Sequence, residues 1–356
     1  MPEESSTLAD GTPRETNDQE LEEMVRRMRT SIRIFGMGGG GSNTVARIYS
    51  EGINGADLFA CNTDAQHLLA IKVPHKILLG RRSTKGLGAG ALPQVGEEAA
   101  KEAEDELRTA LQGSDVVFVT CGLGGGTGTG SSSYIAKLAK SGGALTVAVV
   151  TLPFRGEGSL RMESASWGLD RLREAADTVI TVPNDKLLDL VPRMSLTAAF
   201  KFADEVLMRA IKGLTEMITK PGLVNLDFND VRTVMTGGGV AMIGMGESQA
   251  VGDDRAINAV EEAINSPLLE VDISTARGVL VSVTGGTDMT LGEAERTVEV
   301  LQGRVATDAR IIWGARVDPT LEHTLRVMLV ATGVRSTQIS GRNQPKPDLR
   351  RGDPVR

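Results

Sequence analysis

Apolar and polar positions follow two periods along this chain. From residue 32, short β-rich runs at 32–35, 58–61, 77–79, 116–121, 145–151 and 178–182 are each closed within two residues by Gly, Asn or Pro, and read as strands. Between them, 43–50, 94–111, 132–141, 164–175 and 186–190 carry helical spacing. Buried strands interleaved with helices predict an α/β, Rossmann-like domain with a mostly parallel sheet covered on both faces. One long helical pattern, "LTAAFKFADEVLMRAIKGLTEMITK" at 196–220, is stopped by Pro221 and Gly222 and reads as a central connector. Beyond it, strands at 240–245, 278–284, 309–317 and 325–332 with helices at 254–265 and 291–301 predict a smaller, more antiparallel α+β second layer.

The ends behave differently. Residues 1–18 are acidic and lack core-forming side chains, so they are expected to be a disordered tail. Leu21, Met24, Val25 and Met28 then share one face of a short amphipathic helix over 19–30. Residues 342–356 hold three prolines and four arginines and are expected to be a flexible tail. The resulting plan is a ligand-binding domain at 31–195, a central helix at 196–220, a loop and following helix at 221–236, and a second domain at 237–341.

Composition narrows the function. With 39 Lys plus Arg against 46 Asp plus Glu the formal charge is -7, which argues against a general electrostatic grip on nucleic acid or an anionic membrane. Cys61 and Cys121 alone support neither a disulfide framework nor a zinc site. No run approaches the ~20 apolar residues of a membrane span, and the N-terminus lacks a basic-then-apolar start, so a cytoplasmic protein without membrane insertion is expected. Glycine is the outlier: there are 42, well above the usual ~7%, gathered in short runs.

The most informative run is "VTCGLGGGTGTGSSS" at 119–133, which follows a strand and precedes a helix. Its glycines, Gly124, Gly125, Gly126, Gly128 and Gly130 among them, lie where an open α/β sheet binds ligands. Without Cβ atoms, successive backbone N–H groups can converge on an anion at a helix start, with Thr127 and Thr129 adding hydroxyls. A second run, "FGMGGGGSNTV" at 35–45, repeats the arrangement, and its Gly36, Gly38 and Gly41 match G-x-G-x-x-G. Two such loops on one sheet predict a polyphosphate ligand. The chain holds no G-x-x-x-x-G-K-[ST], so no P-loop lysine is available and neutralisation falls to backbone dipoles and a metal ion.

Gly124 to Gly130 also spell G-G-G-T-G-T-G, and with "CNTDAQHL" (61–68), "GLGAGALPQVGEEAA" (86–100), "TLPFRGEGSLR" (151–161), "VPNDKLL" (182–188), "FKFAD" (200–204) and "GLVNLDFNDVRTVM" (222–235) the chain resembles the tubulin/FtsZ superfamily, and its FtsZ branch closely, over about residues 31–333. The resemblance implies the tubulin/FtsZ fold and a GTPase that polymerises for cell division. It implies GTP or GDP contacts from Gly38, Gly39, Gly40, Gly41, Ser42 and Asn43, from Asp64, from Ala89 and Gly90 in a γ-phosphate-sensing loop, and from Gly124, Gly125, Gly126, Thr127, Gly128, Thr129 and Gly130. It places Glu157 and Arg161 at the ribose, Asn184 at sugar or base, Phe200 stacked on the base and Asp204 reading it. Guanine offers N1–H and N2–H2 side by side to a carboxylate, whereas adenine offers an acceptor at N1, so Asp204 favours GTP over ATP. The amphipathic stretch near Leu21 is similar to the N-terminal helix of archaeal members. The short C-terminus lacks the long linker and apolar peptide of bacterial members, so any membrane-anchoring adaptor would be reached through the tails.

Each of these residues has a plainer reading. Phe200 lies on an apolar helix face and would by default be core. Glu157 and Arg161 are spaced as an i,i+4 surface pair. Asn184 with Asp185, and Asp227 or Asn229, are all placed to cap helices. His67, His75 and His323 show no ligand spacing.

The loop "NLDFND" supplies Asn225, Asp227 and Asp230, carboxylates able to orient a water or bind the waters of Mg²⁺. From Asp204 to Lys220 a helix carries the chain ~24 Å away from the base. The acidic loop would therefore serve the next subunit in a head-to-tail homopolymer, with GTP hydrolysed at the contact and the filament forming a midcell ring. Two rivals remain at this stage: a nicotinamide-dependent oxidoreductase, from the Gly36–Gly41 match, and a tubulin-like shape or regulatory scaffold with little hydrolysis.

Overall fold

The computed structural model describes residues 30–334 apart from 191–194, 221, 225, 251, 253 and 270. The expected N-terminal helix, both tails and Asn225 lie outside the described residues. Strands β1 (Ile32–Met37), β2 (Ala56–Asn62), β3 (His75–Leu78), β4 (Val116–Gly122), β5 (Leu145–Leu152) and β6 (Thr178–Pro183) are joined in parallel. Their spatial order is β3-β2-β1-β4-β5-β6. The order reverses between β1 and β4, which is where sheets of this kind open a crevice for a ligand.

Period-two alternation builds the two cores. On β1, Ile32 and Ile34 point to one face while Phe35 and Met37 point to the other; on β4, Val116 and Phe118 oppose Val117, Val119 and Cys121. The first face is covered by α1 (Gly38–Ser50) and by α8 (Leu196–Thr219), the long central helix. The second is covered by α3 (Pro93–Glu102), α4 (Glu104–Leu111), α5 (Thr127–Ser141) and α6 (Ser159–Ala175). Two short helices, α2 (Ala65–Ala70) and α7 (Asn184–Leu190), complete this half.

The expected single helix over 94–111 is two. It breaks at Ala103, on either side of which Glu102 accepts from the backbone N–H groups of Arg82 and Ser83 and Glu104 accepts from the Tyr134 hydroxyl.

The second half does not form a separate layer. β7 (Gly239–Ser248) pairs in parallel with β6 through Thr178 opposite Gly239 to Ile180 opposite Ala241, and the sheet runs on as β7-β10-β8-β9. Here β8 (Gly278–Gly285) and β9 (Arg310–Val317) are parallel, and β10 (Leu325–Thr332) is inserted antiparallel between β7 and β8. Helices α10 (Asp254–Ile264) and α11 (Leu291–Gln302) lie on it. The described strands thus make one ten-stranded sheet. A pairing this distant in sequence leaves no local trace, which is why alternation alone suggested a second layer.

The two halves are also tied at the foot of α8. Glu216, 1% exposed, accepts from Lys220 at 2.8 Å and pairs with Arg316 of β9. Val224 then bridges to Ala315 of the same strand, which directs the following loop toward α9 (Phe228–Met235).

Candidate functional site

Two helix starts face each other across the reversal in strand order. α1 begins directly after β1 and α5 directly after the loop that closes β4, and neither Met37 nor Gly126, the residues in the capping positions, supplies a side-chain cap. Their first N–H groups therefore have no side-chain acceptor and carry the positive ends of the helix dipoles. The starts touch through backbone alone: at Gly38, where φ is +70°, a Cβ would stand 2.8 Å from the Gly128 nitrogen. Above Gly39 and Gly125, by contrast, a Cβ would meet nothing within 4 Å. The open side of this double N-terminus is an anion seat.

Several residues of the second glycine run do other work. Gly130 faces α3, where a Cβ would fall 1.9 Å from the Pro93 carbonyl oxygen. Thr129 is fully buried and its hydroxyl accepts from the Gly124 N–H at 2.9 Å. It is a strut inside the loop, and this corrects the expectation that it offers a hydroxyl to the ligand. The Thr127 hydroxyl is 2.6 Å from that of Thr63. Replacing Gly130 by Ala should prevent folding or cost more than ~3 kcal/mol, since both neighbours are backbone. Gly125→Ala should unfold like the parent protein yet bind nucleotide more weakly. Thermal denaturation of the two variants side by side checks the contrast.

The loop ahead of α3 leans on the same place. Gly126 N–H donates to the Gly90 carbonyl at 3.0 Å and Gly88 N–H to that of Thr63 at 3.1 Å, while Leu87, just before them, is 86% exposed. Ala89 is buried. Asp64 caps α2, accepting from the N–H groups of Gln66 and His67 at 2.9 and 3.0 Å.

A second group of candidate residues stands on the elements that follow, α6, α7 and α8. α6 reaches the second glycine run because a Cβ on Gly124 would lie 2.9 Å from the Arg161 carbonyl oxygen, and the Arg161 guanidinium pairs with Glu157, which also accepts from Phe154 N–H at 2.9 Å. The i,i+4 pair and the site are thus the same pair of residues. Asn184 opens α7 itself, so it does not cap a helix starting at Lys186; it is 4% exposed and its side-chain oxygen has no hydrogen-bond partner. Asp185 is held by Arg155 through its backbone N–H at 3.0 Å and its side chain at 3.2 Å. Phe200, expected by default in the core, is 39% exposed and meets Phe154 edge-on at 5.2 Å. Asp204 accepts from the Thr44 hydroxyl of α1 at 3.3 Å, and burial pushes its carboxyl up to about 6 against the opposing pull of Thr44 and Arg47. An exposed ring, an orphaned amide oxygen and a half-buried acid stand on α7 and α8, and the Thr44 hydrogen bond ties the acid to α1.

The acidic loop lies elsewhere. Asp227 caps α9, accepting from Asn229 N–H at 3.1 Å, and both Asp227 and Asp230 are exposed. The helix is pinned to the opposite edge of the sheet. Arg232 donates to the carbonyl of Gly143, just before β5, at 2.7 Å, and the Met235 carbonyl accepts from the hydroxyl of Thr178, the first residue of β6. The glycine loops lie at the carboxyl ends of the strands, and at ~3.3 Å per residue β5 alone separates the two edges by roughly 23 Å. Asp227 stands within two helical turns of the lower anchor.

One residue of the site carried no sequence signal. His67 spans Asn62, 3.2 Å from its Nδ1, and Asn43, 3.0 Å from its Nε2. A lone histidine without ligand spacing is uninformative until three elements meet around it. Among the described residues no His, Cys, Asp and Glu group is arranged to hold a metal ion, and no helix is long and apolar enough to cross a membrane.

Residues 31–192 match the family model described as "Tubulin/FtsZ family, GTPase domain", and 239–335 match "FtsZ family, C-terminal domain". The chain is 56% identical to "Cell division protein FtsZ 1" of Archaeoglobus fulgidus, over 95% of its own length and 92% of that protein's. It is 58% identical to the protein of the same name from Halobacterium salinarum, over 92% of this chain and 82% of that one. Among solved structures it superposes on "FtsZ dimer, empty (M. jannaschii)" with a TM-score of 0.85 at 54% identity, covering 89% of this chain and 92% of that chain.

Proposed function

Since this chain belongs to the FtsZ family, self-assembling GTPases of the cell-division cytoskeleton, we propose that its GTP lies across the two facing helix starts and is hydrolysed only where a second subunit presents its acidic loop. The phosphates rest on Gly38, Gly39, Gly40, Gly41 and Ser42 of α1 and on Gly124, Gly125, Gly126, Thr127 and Gly128, at two helix starts that lack side-chain caps and lie open above Gly39 and Gly125. Asn43 flanks them, and Ala89 and Gly90 bring the loop that senses the γ-phosphate. The ribose meets Glu157 and Arg161. Phe200 stacks on the base, Asn184 hydrogen-bonds to it, and Asp204 accepts from guanine N1–H and N2–H2.

The observation that carries this reading is the separation of the two half-sites. Asp227 and Asp230 are exposed on the edge to which Arg232 anchors α9, while the anion seat occupies the opposite edge. One chain holds both halves but cannot close them on each other. A neighbour stacked head to tail can. Its Asp227 and Asp230, with Asn225, would orient the attacking water at the γ-phosphate. Mg²⁺ would be held by the β- and γ-phosphate oxygens and by water, since no group of acidic or histidine ligands stands ready among the described residues; when bound it neutralises charge on the departing diphosphate. The filament would gather in a midcell ring in the cytoplasm, attached to the membrane by an adaptor that grips the tails.

Phosphate release and sedimentation, measured across protein concentration with GTP, GDP and no nucleotide, test the reading. Turnover should be near zero in dilute protein and appear together with pelletable polymer. Full-rate hydrolysis by dilute, monomeric protein would overturn it.

Asp204 adds a pH dependence. Its carboxylate must be ionised to accept from guanine, and its carboxyl in the free protein titrates at about 6. GDP affinity should be flat above pH 7 and about tenfold weaker at pH 5. For the nucleotide-free fold the sign is opposite. A carboxyl raised from 3.8 to about 6 favours folding fully below the lower value and loses that contribution as pH rises through the upper one. Calorimetry with and without GDP between pH 5 and 8 separates the two trends.

A further inference from the structure

We propose that His67 is a positioning residue that decides which end of the Asn43 carboxamide is offered to the nucleotide. The assignment follows from a chain of hydrogen bonds whose polarity is fixed at one end. Thr63 N–H donates to the side-chain oxygen of Asn62 at 2.9 Å, and a backbone N–H can only donate. The amide nitrogen of Asn62 is therefore the end that meets His67 Nδ1, at 3.2 Å, and Nδ1 must accept. The ring then carries its proton on Nε2, which donates to the Asn43 side-chain oxygen at 3.0 Å. With its oxygen occupied, Asn43 has its NH2 group left to present. An exposed side chain at the second turn of α1, near the uncapped helix start, thus adds two donors to a seat already built of donors.

The relay joins three elements: the end of β2, the first turn of α2 and the second turn of α1. It has little freedom to invert. The Asp64 carboxylate, the acidic group nearest in sequence, is already spent on the N–H groups of Gln66 and His67. Without the ring, the relay no longer distinguishes the oxygen of the Asn43 amide from its nitrogen, and an oxygen turned toward phosphate or a ribose hydroxyl acceptor repels it.

This inference rests on the proposed reading of Asn43 as a nucleotide contact, and the experiment separates the two. GDP dissociation constants would be measured at pH 8 on monomeric protein for His67→Ala, His67→Asn, His67→Gln, Asn43→Ala and Asn43→Ala with His67→Ala, together with the melting temperature of each nucleotide-free variant. A glutamine amide reaches the position of Nε2 and can donate to Asn43; an asparagine amide reaches only that of Nδ1. His67→Ala and His67→Asn should each weaken GDP by about five- to tenfold, His67→Gln should stay within about twofold of the parent, and the double variant should bind no worse than Asn43→Ala. The rate at saturating GTP should be retained while KM rises. Unchanged affinity in His67→Ala alongside weakened binding in Asn43→Ala overturns the relay alone. Unchanged affinity in Asn43→Ala overturns the reading beneath it. Should His67→Ala fail to fold, the order of the Gln and Asn variants decides: equal losses in both mean that the ring matters only as packing.

Discussion

Asp227→Asn is expected to bind GTP and polymerise like the parent protein while releasing phosphate at least ~100-fold more slowly, the range set by loss of a group that orients or activates water. Asparagine is the informative replacement because Asp227 is also the cap of α9, accepting from Asn229 N–H. Asparagine caps as well as aspartate, whereas alanine would forfeit about 1 kcal/mol of helix stability and blur the result. The decisive measurement is complementation. A chain disabled at Asp227 retains its nucleotide seat, and a chain disabled in the seat retains its acidic loop. Mixed, the two should recover hydrolysis at those junctions where an intact loop faces an intact seat. Recovery in the mixture requires that the halves act between molecules. Two inactive variants that stay inactive together, despite copolymerising, would refute it.

Asp204→Asn is the second large effect, and it should move binding and stability in opposite directions. An amide of the same shape turns one acceptor into a donor against the guanine N1–H and N2–H2 groups. One charge-assisted hydrogen bond becomes a donor–donor clash and the other loses its charge, together worth about 3–5 kcal/mol or some hundredfold to several-thousandfold in GTP affinity. In the nucleotide-free protein the same change removes a carboxylate that burial already disfavours, so the melting temperature at pH 8 should rise or hold. Discrimination should fall too, with GTP and inosine nucleotides bound almost alike because the contact to N2–H2 no longer counts. A variant that loses both GTP affinity and thermal stability would mean that Asp204 serves the fold through Thr44 and not the base.

The sequence made the anion seat legible because its signal is local. A strand, a glycine run and a helix occur in that order twice, and both runs stand beside the place where strand order reverses. The base pocket was legible only through resemblance: spacing alone puts Phe200 in the core and makes Glu157 and Arg161 a surface pair. What escaped has physical causes. Both helices begin inside the glycine runs, at Gly38 and Thr127; glycine is a poor helix former, so periodicity starts several residues late. Thr129 looks like a free hydroxyl because nothing in the chain reveals that the Gly124 N–H folds back onto it. The six-residue helix α2 is too short for a period to emerge. The β6–β7 pairing and the His67 relay join residues brought together only by the finished sheet.

In the head-to-tail assembly proposed above, the placement of the two half-sites on opposite edges, with α9 held down by the Arg232 contact to Gly143, would set an arithmetic for the assembled state. Stacked chains share centres only at junctions, so a row always has one fewer working centre than it has members. A pair has a single centre, and turnover per chain climbs toward a plateau as rows lengthen. At one extremity a filled seat stands with no neighbour's acid over it, so that terminal triphosphate outlives all those behind it. Length and age are thereby written into the row by where two aspartates sit.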